Sequence, residues 1–206
     1  MKFNSSDKIC IIGYSGAGKS TLMEFLIDAL AFDSVVIDPV SRFSDKKNIR
    51  FVGQVKCKNP RDNKICFKIQ DEEGLEKIIT KMNDNDKKEL FLVVDEIDQY
   101  TTTRKLMTET SLYFQQGRNY NHGGMFSVRQ VGRLNKQILS NSHYLFLFKI
   151  LNEDDVEYLQ NITGLALKKD ILKLGKHNFF IIDLHNSEIL GTYKFDKKKK
   201  AIVRDN

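Results

Sequence analysis

The sequence lacks any apolar run approaching the ~18 residues of a membrane-spanning helix, and we therefore expect no membrane span. Its first seven residues, Met-Lys-Phe-Asn-Ser-Ser-Asp, also lack the apolar core of a secretory signal. The three cysteines (Cys10, Cys57 and Cys66) form no C-x-x-C pair, and Cys10 falls in a predicted strand, where a buried, reduced thiol is expected. Together these absences predict a reducing, cytoplasmic setting.

Metal-ligand spacing is missing too, because the four histidines form no pattern such as H-E-x-x-H. No repeat, linker or low-complexity tract divides the 206 residues, and this length predicts one domain spanning residues 1–206. The 33 Lys and Arg residues exceed the 27 Asp and Glu residues, which gives a net charge of +6. This excess permits a polyanionic partner, although a solvated basic surface explains it equally well.

Six apolar runs read as strands, and stretches of helical spacing lie between most of them. The runs are Lys8 to Ile12, Ser34 to Ile37, Leu90 to Asp95, Met125 to Val128, Tyr144 to Lys149 and Phe179 to Leu184. Helices are expected at Thr21 to Leu30, Glu72 to Met82 and Thr102 to Asn121. The alternation predicts an α/β fold with a mainly parallel central sheet covered on both faces, and the most continuous apolar runs belong at its centre.

The margins of the sheet are predicted from weaker signals. Phe51 to Val55 and Ile65 to Ile69 look like a hairpin or an edge pair. Ile189 to Phe195 follows a His-Asn-Ser-Glu turn and predicts a C-terminal β-hairpin. The four lysines of Lys197 to Lys200 read as a solvated tail, with contact to DNA phosphates as the alternative.

A glycine-rich segment carries the first chemical motif. Gly13 to Thr21 reads Gly-Tyr-Ser-Gly-Ala-Gly-Lys-Ser-Thr, matches G-x-x-x-x-G-K-[ST], and stands between a strand and a helix. Its candidate nucleotide-binding residues are Gly13, Ser15, Gly16, Ala17, Gly18, Lys19, Ser20 and Thr21. Backbone N–H groups and the helix N-terminus would hold phosphate oxygens. Lys19 would reach the β- and γ-phosphates, and the Ser20 hydroxyl would bind Mg²⁺.

A second motif, Leu90 to Glu96, is an apolar strand that ends in two carboxylates and has the form of a Walker B element. Asp95 would hold the Mg²⁺ shell through water, and Glu96 would orient and deprotonate the attacking water. The alternative is that these acids cap a helix N-terminus, a role that Asp98 suits best. An adjacent Asp-Glu pair favours hydrolysis over phosphorylation of a small molecule, because a kinase must keep water out.

Two nucleotide-specific motifs are missing. The nearest approach to the guanine-binding Asn-Lys-x-Asp is Asn135-Lys136-Gln137-Ile138, which has Ile where Asp is required. The Leu-Ser-Gly-Gly-Gln signature of transporter ATPases does not occur either. ATP is therefore the expected nucleotide.

The segment after Walker B adds a family resemblance. Gly117 to Gln130 holds a Gly-Arg pair, a His-Gly-Gly turn and a strand ending in Arg129 and Gln130, and Leu134 to Asn141 reads Leu-Asn-Lys-Gln-Ile-Leu-Ser-Asn. With the two Walker motifs, these segments resemble the FtsK/HerA superfamily of DNA-pumping ATPases, and a three-layer, RecA-like P-loop NTPase fold is implied. That family commonly ends this strand in Gln-Arg-Pro or Arg-Arg-Pro. Here the proline is missing, so either Arg129 or Gln130 would read the γ-phosphate.

Within that superfamily, the compact length resembles the genome-packaging ATPases of tailless icosahedral double-stranded DNA viruses, including archaeal turreted viruses. The resemblance implies a homo-oligomeric ring, a hexamer, with ATP between subunits and double-stranded DNA in a basic channel. Capsid or internal-membrane proteins of a virion are further implied partners, in the host cytoplasm or at the virion. A neighbouring subunit would supply an arginine finger, with Arg118 as the first candidate and Arg104 as the second. DNA contacts are expected around Lys56 to Lys64 or Arg129 to Lys136.

The leading prediction is an Mg²⁺-dependent ATPase that drives double-stranded DNA into a preformed viral capsid. A non-packaging DNA motor, of the plasmid or conjugation type, would share every active-site residue. A small-molecule P-loop kinase is the third hypothesis, but the sequence shows no arginine-rich lid segment.

Overall fold

The structure is a computed structural model that describes residues 3–30, 33–40, 50–51, 64–84, 89–196, 199 and 201–205. The strands in these ranges are β1 (Lys8–Ile12), β2 (Asp33–Ile37), β3 (Arg50–Phe51), β4 (Lys64–Phe67), β5 (Leu90–Val94), β6 (Gly124–Val128), β7 (Tyr144–Phe148), β8 (Asn178–Asp183), β9 (Glu188–Asp196) and β10 (Ala201–Arg204). The helices are α1 (Lys19–Ala29), α2 (Glu72–Asn83), α3 (Thr108–Gln116), α4 (Lys136–Ser140), α5 (Glu153–Thr163) and α6 (Lys168–Lys173). None of the helices in these ranges is long and apolar enough to cross a membrane.

The described strands form a single sheet in the order β10-β9-β8-β7-β1-β6-β5-β2-β4-β3. From β3 to β7 every neighbouring pair is parallel. β8, β9 and β10 then extend the sheet in antiparallel fashion. This arrangement confirms the predicted α/β class, the mainly parallel sheet and the C-terminal hairpin.

The sheet separates two hydrophobic cores, because successive side chains of a strand point to opposite faces. Ile9 and Ile11 of β1 pack in the core covered by α1, whose Leu22 and Ile27 are fully buried. Cys10 and Ile12 pack in the larger core on the other face, with α2 to α6. The molecule therefore has three layers, with helices on both sides of the sheet.

Cys10 is fully buried, as the sequence predicted, and so is Cys66. Burial raises the pKa of both thiols, to about 12 for Cys66, and nearby carboxylates add to the shift. Cys57 lies outside the described residues. The two described thiols are therefore inert packing residues.

Of three local predictions, the structure agrees with one of the two alternatives for the first and corrects the other two. The β3–β4 pair is an edge pair, but its strands run parallel, so it is not a hairpin; most of Phe51 to Val55 lies outside the described residues. The predicted helix over Thr102 to Asn121 begins only at Thr108, since Thr102 Oγ1 accepts from the N–H of Lys105 (3.1 Å) and closes a turn instead. The predicted tail Lys197 to Lys200 lies outside the described residues except for Lys199, and it is not the end of the sheet, because β10 follows it and pairs with β9.

Candidate nucleotide-binding site

The predicted motifs meet at one edge of the sheet. β6 lies between β1 and β5, all three are parallel, and Ile12 of β1 pairs with Val128 of β6. The phosphate loop, the sensor residues and the Walker B acids each follow the carboxyl end of one of these strands. In open α/β sheets ligands bind outside this edge. The topology thus brings together motifs that are more than a hundred residues apart in the sequence.

The glycines shape the phosphate loop. Gly13 passes so close to β7 that an added Cβ would lie 2.6 Å from Cβ of Phe148, so no larger residue fits there. Gly18 has a φ of 110°, in the left-handed region that favours glycine, and it is the N-cap of α1. No described side chain caps this helix. The first-turn N–H groups of α1 therefore suit phosphate oxygens.

Lys19 is the first residue of α1, and its side chain turns back into the loop. Its Nζ donates to the carbonyl oxygens of Gly13 (2.7 Å) and Tyr14 (3.2 Å). The residue is only 7% exposed, so its charge is held at the loop's centre. Of the other loop residues, Ser15 and Gly16 are exposed, Ala17 is buried, and Gly18, Ser20 and Thr21 are half-buried.

His177, in the segment before β8, contacts this loop, and the sequence did not predict the contact. Its Nδ1 lies 3.1 Å from the carbonyl oxygen of Ala17. Because a carbonyl only accepts, this contact places the ring proton on Nδ1. The two residues are 160 positions apart, so no local pattern could have identified the pair.

The two Walker B acids are linked through Ser127 of β6. The Ser127 hydroxyl donates to Asp95 Oδ1 (2.5 Å) and accepts from the backbone N–H of Glu96 (2.8 Å). Asp95 and Ser127 are almost completely inaccessible, and Glu96 is 8% exposed. Sequence reasoning missed Ser127, although a polar residue inside a strand buried along its whole length is the signal that could have found it.

Glu96 adopts an unusual backbone conformation. Its φ of 56° lies in the left-handed region, which costs a residue with a side chain roughly 1–2 kcal/mol. Its carboxylate is contacted by the side-chain amide of Gln99 and lies 3.8 Å from the guanidinium of Arg129. Gln99 is a second missed residue. The strained backbone and the two contacts fix the direction of the carboxylate.

Asp98 holds the backbone of the predicted sensor residues, Arg129 and Gln130. Its two carboxylate oxygens each accept from a backbone N–H, one of Arg129 and one of Gln130, both at 3.1 Å. The expected role of Asp98 as a helix cap is therefore wrong, since it lies within a 3₁₀ turn of three residues and caps the end of β6 instead. Arg129 pairs with Glu96, whereas the side chain of Gln130 is exposed.

Buried acids accumulate at this edge. Asp38 follows β2 and is fully buried, and sequence reasoning did not select it. The pKa of Tyr100 is raised by burial and then by the charges of Asp38, Asp95 and Glu96. The Tyr100 hydroxyl donates to the carbonyl oxygen of Ile69 (2.6 Å). Asp71 adds to the same shift, so negative charge from four carboxylates reaches this phenol.

The donor types at this edge fit Mg²⁺. The Ser20 hydroxyl and the Asp95 carboxylate are oxygen ligands, which this ion prefers, and it usually takes only one or two from the protein and the rest from phosphates and water. Within the described ranges, no group of three or more His, Cys, Asp or Glu residues could hold a metal ion. Bound there, Mg²⁺ would neutralise charge that develops on the phosphates.

Neither candidate for the arginine finger lies at this edge in a way that completes the site. Arg118 follows α3 and lines a pocket with Lys8, the first residue of β1, at the opposite edge of the sheet. Arg104 is exposed in the segment before α3.

Comparison with protein-family models and with curated protein sequences gives no match. Among solved structures, the fold is similar to the genome packaging NTPase B204 from Sulfolobus turreted icosahedral virus 2 in complex with AMPPCP, with a TM-score of 0.77 and 16% identity over 91% of this chain and 97% of that one. It is also similar to VirB4 of Thermoanaerobacter pseudethanolicus, with a TM-score of 0.67, 11% identity and 89% of each chain covered. The pCW3 conjugation coupling protein TcpA with ATPγS has a TM-score of 0.64 and 12% identity, over 95% of this chain and 62% of that one.

These likenesses define the class of fold. The chain has the α/β fold of P-loop ATPases, and its structural neighbours include a viral genome-packaging NTPase, as the sequence resemblance implied. At 11–16% identity the similarity establishes the fold, and the activity must be argued from the site itself.

Proposed function

We propose that this protein is an ATP-driven double-stranded DNA translocase that packages a viral genome into a preformed capsid. The observation that carries the proposal is the near end-to-end likeness to the turreted-virus packaging NTPase, at 97% of that chain. A phosphate loop, buried Walker B acids and a sensor strand stand at one edge of the same sheet. Residues 1–206 act as one ATPase domain.

The ATPase chemistry divides among a few side chains. Lys19 and the loop N–H groups hold the triphosphate, while Ser20 and Asp95 hold Mg²⁺. Glu96 orients and deprotonates the attacking water. Arg129 lies 3.8 Å from the Glu96 carboxylate. In this proposal it senses the γ-phosphate and its position then affects Glu96. Gln130 is the second sensor candidate.

The working form is a ring, with the hexamer as our proposal, in which ATP binds between subunits and DNA occupies the channel. Arg118 of one subunit serves as the finger for its neighbour, with Arg104 as the second candidate. Arg133 and Lys136 are exposed within the proposed DNA-contacting stretch from Arg129 to Lys136. The other stretch, Lys56 to Lys64, lies almost entirely outside the described residues. Capsid or internal-membrane proteins complete the machine in the host cytoplasm or at the virion.

A second candidate function is a non-packaging DNA motor. It is favoured by the likeness to a conjugation coupling protein and to VirB4. The two functions share the same site and differ in the partner that receives the DNA. A small-molecule kinase is the weakest candidate, because the acids at the carboxyl end of β5 favour hydrolysis.

The first test is ATP hydrolysis by the purified protein with and without linear double-stranded DNA, with Glu96→Gln alongside. We expect DNA to stimulate hydrolysis and the variant to lose turnover by at least 100-fold while still binding ATP. Turnover that is indifferent to DNA at low salt would reject the motor. DNA uptake by purified capsids then separates packaging from the second candidate.

A further inference from the structure

A pocket at the far edge of the sheet carries an inference beyond the nucleotide site. It has a volume of about 360 Å³, and its lining includes Lys8, Gln115, Arg118, His143 and His185. We call it the basic pocket. Lys8 begins β1 and the phosphate loop follows the end of that strand, so the two sites are roughly 16 Å apart along five residues of strand.

The basic pocket contains two cations, Lys8 and Arg118, that form no ion pair with any described carboxylate. Lys8 is 2% exposed, and burial together with the charge of Arg118 lowers its pKa to about 8. Among the described residues, neither Lys8 Nζ nor the Arg118 guanidinium has a hydrogen bond or an ion pair. A buried ammonium beside a like charge is costly. A bound anion would remove that cost.

The remaining groups add hydrogen-bond donors. His143 Nδ1 accepts from the backbone N–H of Lys8 (3.0 Å), which leaves the proton of the neutral ring on Nε2 as a donor. The nearest carboxylates are already engaged by backbone N–H groups: Asp7 accepts from Asn4, and Asp183 accepts from His185 and Asn186. Donors and positive charge therefore dominate the polar part of the lining, beside the apolar side chains of Phe114 and Leu184.

We propose that the basic pocket binds a phosphate group. Lys and Arg are the side chains that recognise phosphate by charge and by paired N–H donors. The volume is at the lower end of the range for ligand pockets, which suits one phosphate group with its waters. Two sources present this chemistry: a phosphodiester of duplex DNA, which rests on the proposed function, or the phosphates of a nucleotide.

The test begins with inorganic phosphate and must silence the phosphate loop, which also binds such anions. In a Lys19→Ala background, phosphate is titrated at low salt while the side-chain NMR signals of the histidines are followed. His143 and His185 are expected to shift in a saturable manner, whereas His177, beside the loop, is not. Absence of a saturable shift at His143 and His185 overturns the proposal.

A matched pair of lysine variants assigns the binding to the pocket. Lys8→Met in the same background is expected to weaken phosphate binding at least tenfold, and Lys169→Met, which removes an exposed lysine of α6, is expected to leave it unchanged. Equal affinity in all three proteins overturns the proposal. Because Lys8 is buried, Arg118→Gln at an exposed position serves as the second variant if Lys8→Met does not fold.

Two further titrations separate the sources. If duplex DNA is the source, a short duplex shifts the same two histidines, and Lys8→Met reduces the slope of log affinity against log salt by about one. If a nucleotide is the source, ATP shifts them in the Lys19→Ala protein and the duplex does not. If phosphate binds in the pocket but the duplex does not, a DNA contact at this pocket is rejected. The proposed motor function is not affected by that result.

Discussion

Ser127 links the two acids of the candidate site through one hydroxyl group. Its hydroxyl has one hydrogen bond to the Asp95 carboxylate and one from the Glu96 backbone. Partners of this kind orient the groups that act on the substrate or its metal, and their loss typically lowers affinity or activity about 10- to 100-fold. Ser127 is a positioning residue.

Replacing Ser127 with Ala removes both hydrogen bonds. We expect kcat for ATP hydrolysis to fall about 10- to 100-fold with little change in ATP binding. Steady-state kinetics and a nucleotide-binding titration measure the two effects. The control is Ser34→Ala, which removes another buried serine at the far end of β2. A kcat that falls equally in both variants would mean that general destabilisation, and not the acids, is responsible.

Lys8 makes stability depend on pH in a definite direction. Its folded pKa is about 8, against an ordinary value of 10.5, so the unfolded chain binds the extra proton between these values. The free energy of unfolding therefore rises as pH increases from about 8 to 10.5. We expect Lys8→Met to lack this rise, by an amount of roughly 1–3 kcal/mol.

Urea unfolding of both proteins at several pH values, in buffer free of phosphate, measures the difference. Asp7, Arg118, His143 and His185 are present in both proteins, so their own titration largely cancels in the comparison. Parallel curves for the two proteins between pH 8 and 10.5 would contradict the assignment of the shift to Lys8.

At the scale of elements, the N-terminus of α3 is capped by a side chain of another helix. Glu76 of α2 accepts from the backbone N–H groups of Glu109 (2.7 Å) and Thr110 (3.0 Å), and from the Thr110 hydroxyl (2.7 Å). No described residue of α3 caps its own N-terminus. The carboxylate therefore supplies both the hydrogen bonds and the negative charge that a helix start favours.

Glu76→Gln keeps the shape and removes the charge, and we expect it to lower the free energy of unfolding by about 1 kcal/mol, with Glu76→Ala about twice as costly. Urea unfolding measures both. The matched control is Glu73→Gln on the same helix, whose side chain has Lys77, at 4.0 Å on a largely exposed surface, as its only partner among the described residues. A control as destabilising as Glu76→Gln would contradict the capping role.

The sequence predicted elements well where one short segment decides them. β1, β5 and β7 are continuous apolar runs, and the observed strands match the predicted ones to within a residue. The start of α3 could not be found in this way, because it depends on a carboxylate more than thirty residues away. β10 follows four lysines, and only its pairing with β9 makes it a strand.

The same distinction applies to the site. The phosphate loop and the Walker B pair are contiguous motifs and could be read directly. Ser127, Gln99 and His177 act through contacts made only after the strands assemble. The carboxyl-end geometry that brings Arg129 to Glu96 is likewise a property of the assembled sheet.

For the whole molecule, the proposed role of Arg118 as a finger in the neighbouring subunit predicts that two inactive variants complement each other. Lys19→Ala and Arg118→Ala should each be inactive alone if every site combines the loop of one subunit with the arginine of the next. Mixed in equal amounts, the two variants should regain activity, because about a quarter of the interfaces in a random ring pair two intact parts.

ATP hydrolysis of the mixture, compared with each variant alone, measures this recovery. Lys19→Ala mixed with Glu96→Gln is the control, since both defects lie in the same subunit's half of the site. If that mixture also recovers activity, the exchange of subunits is not the cause. A mixture with Arg118→Ala that stays inactive, in subunits shown to exchange, removes Arg118 from the role.

The left-handed backbone at Glu96 sets folding against function at one position. Asparagine or glycine would occupy that conformation with less strain. Selection for stability alone would accordingly favour replacement of this glutamate, and the proposed base that activates water would be lost. If Glu96 is retained during evolution although another residue would fit the backbone better, selection for turnover is the reason.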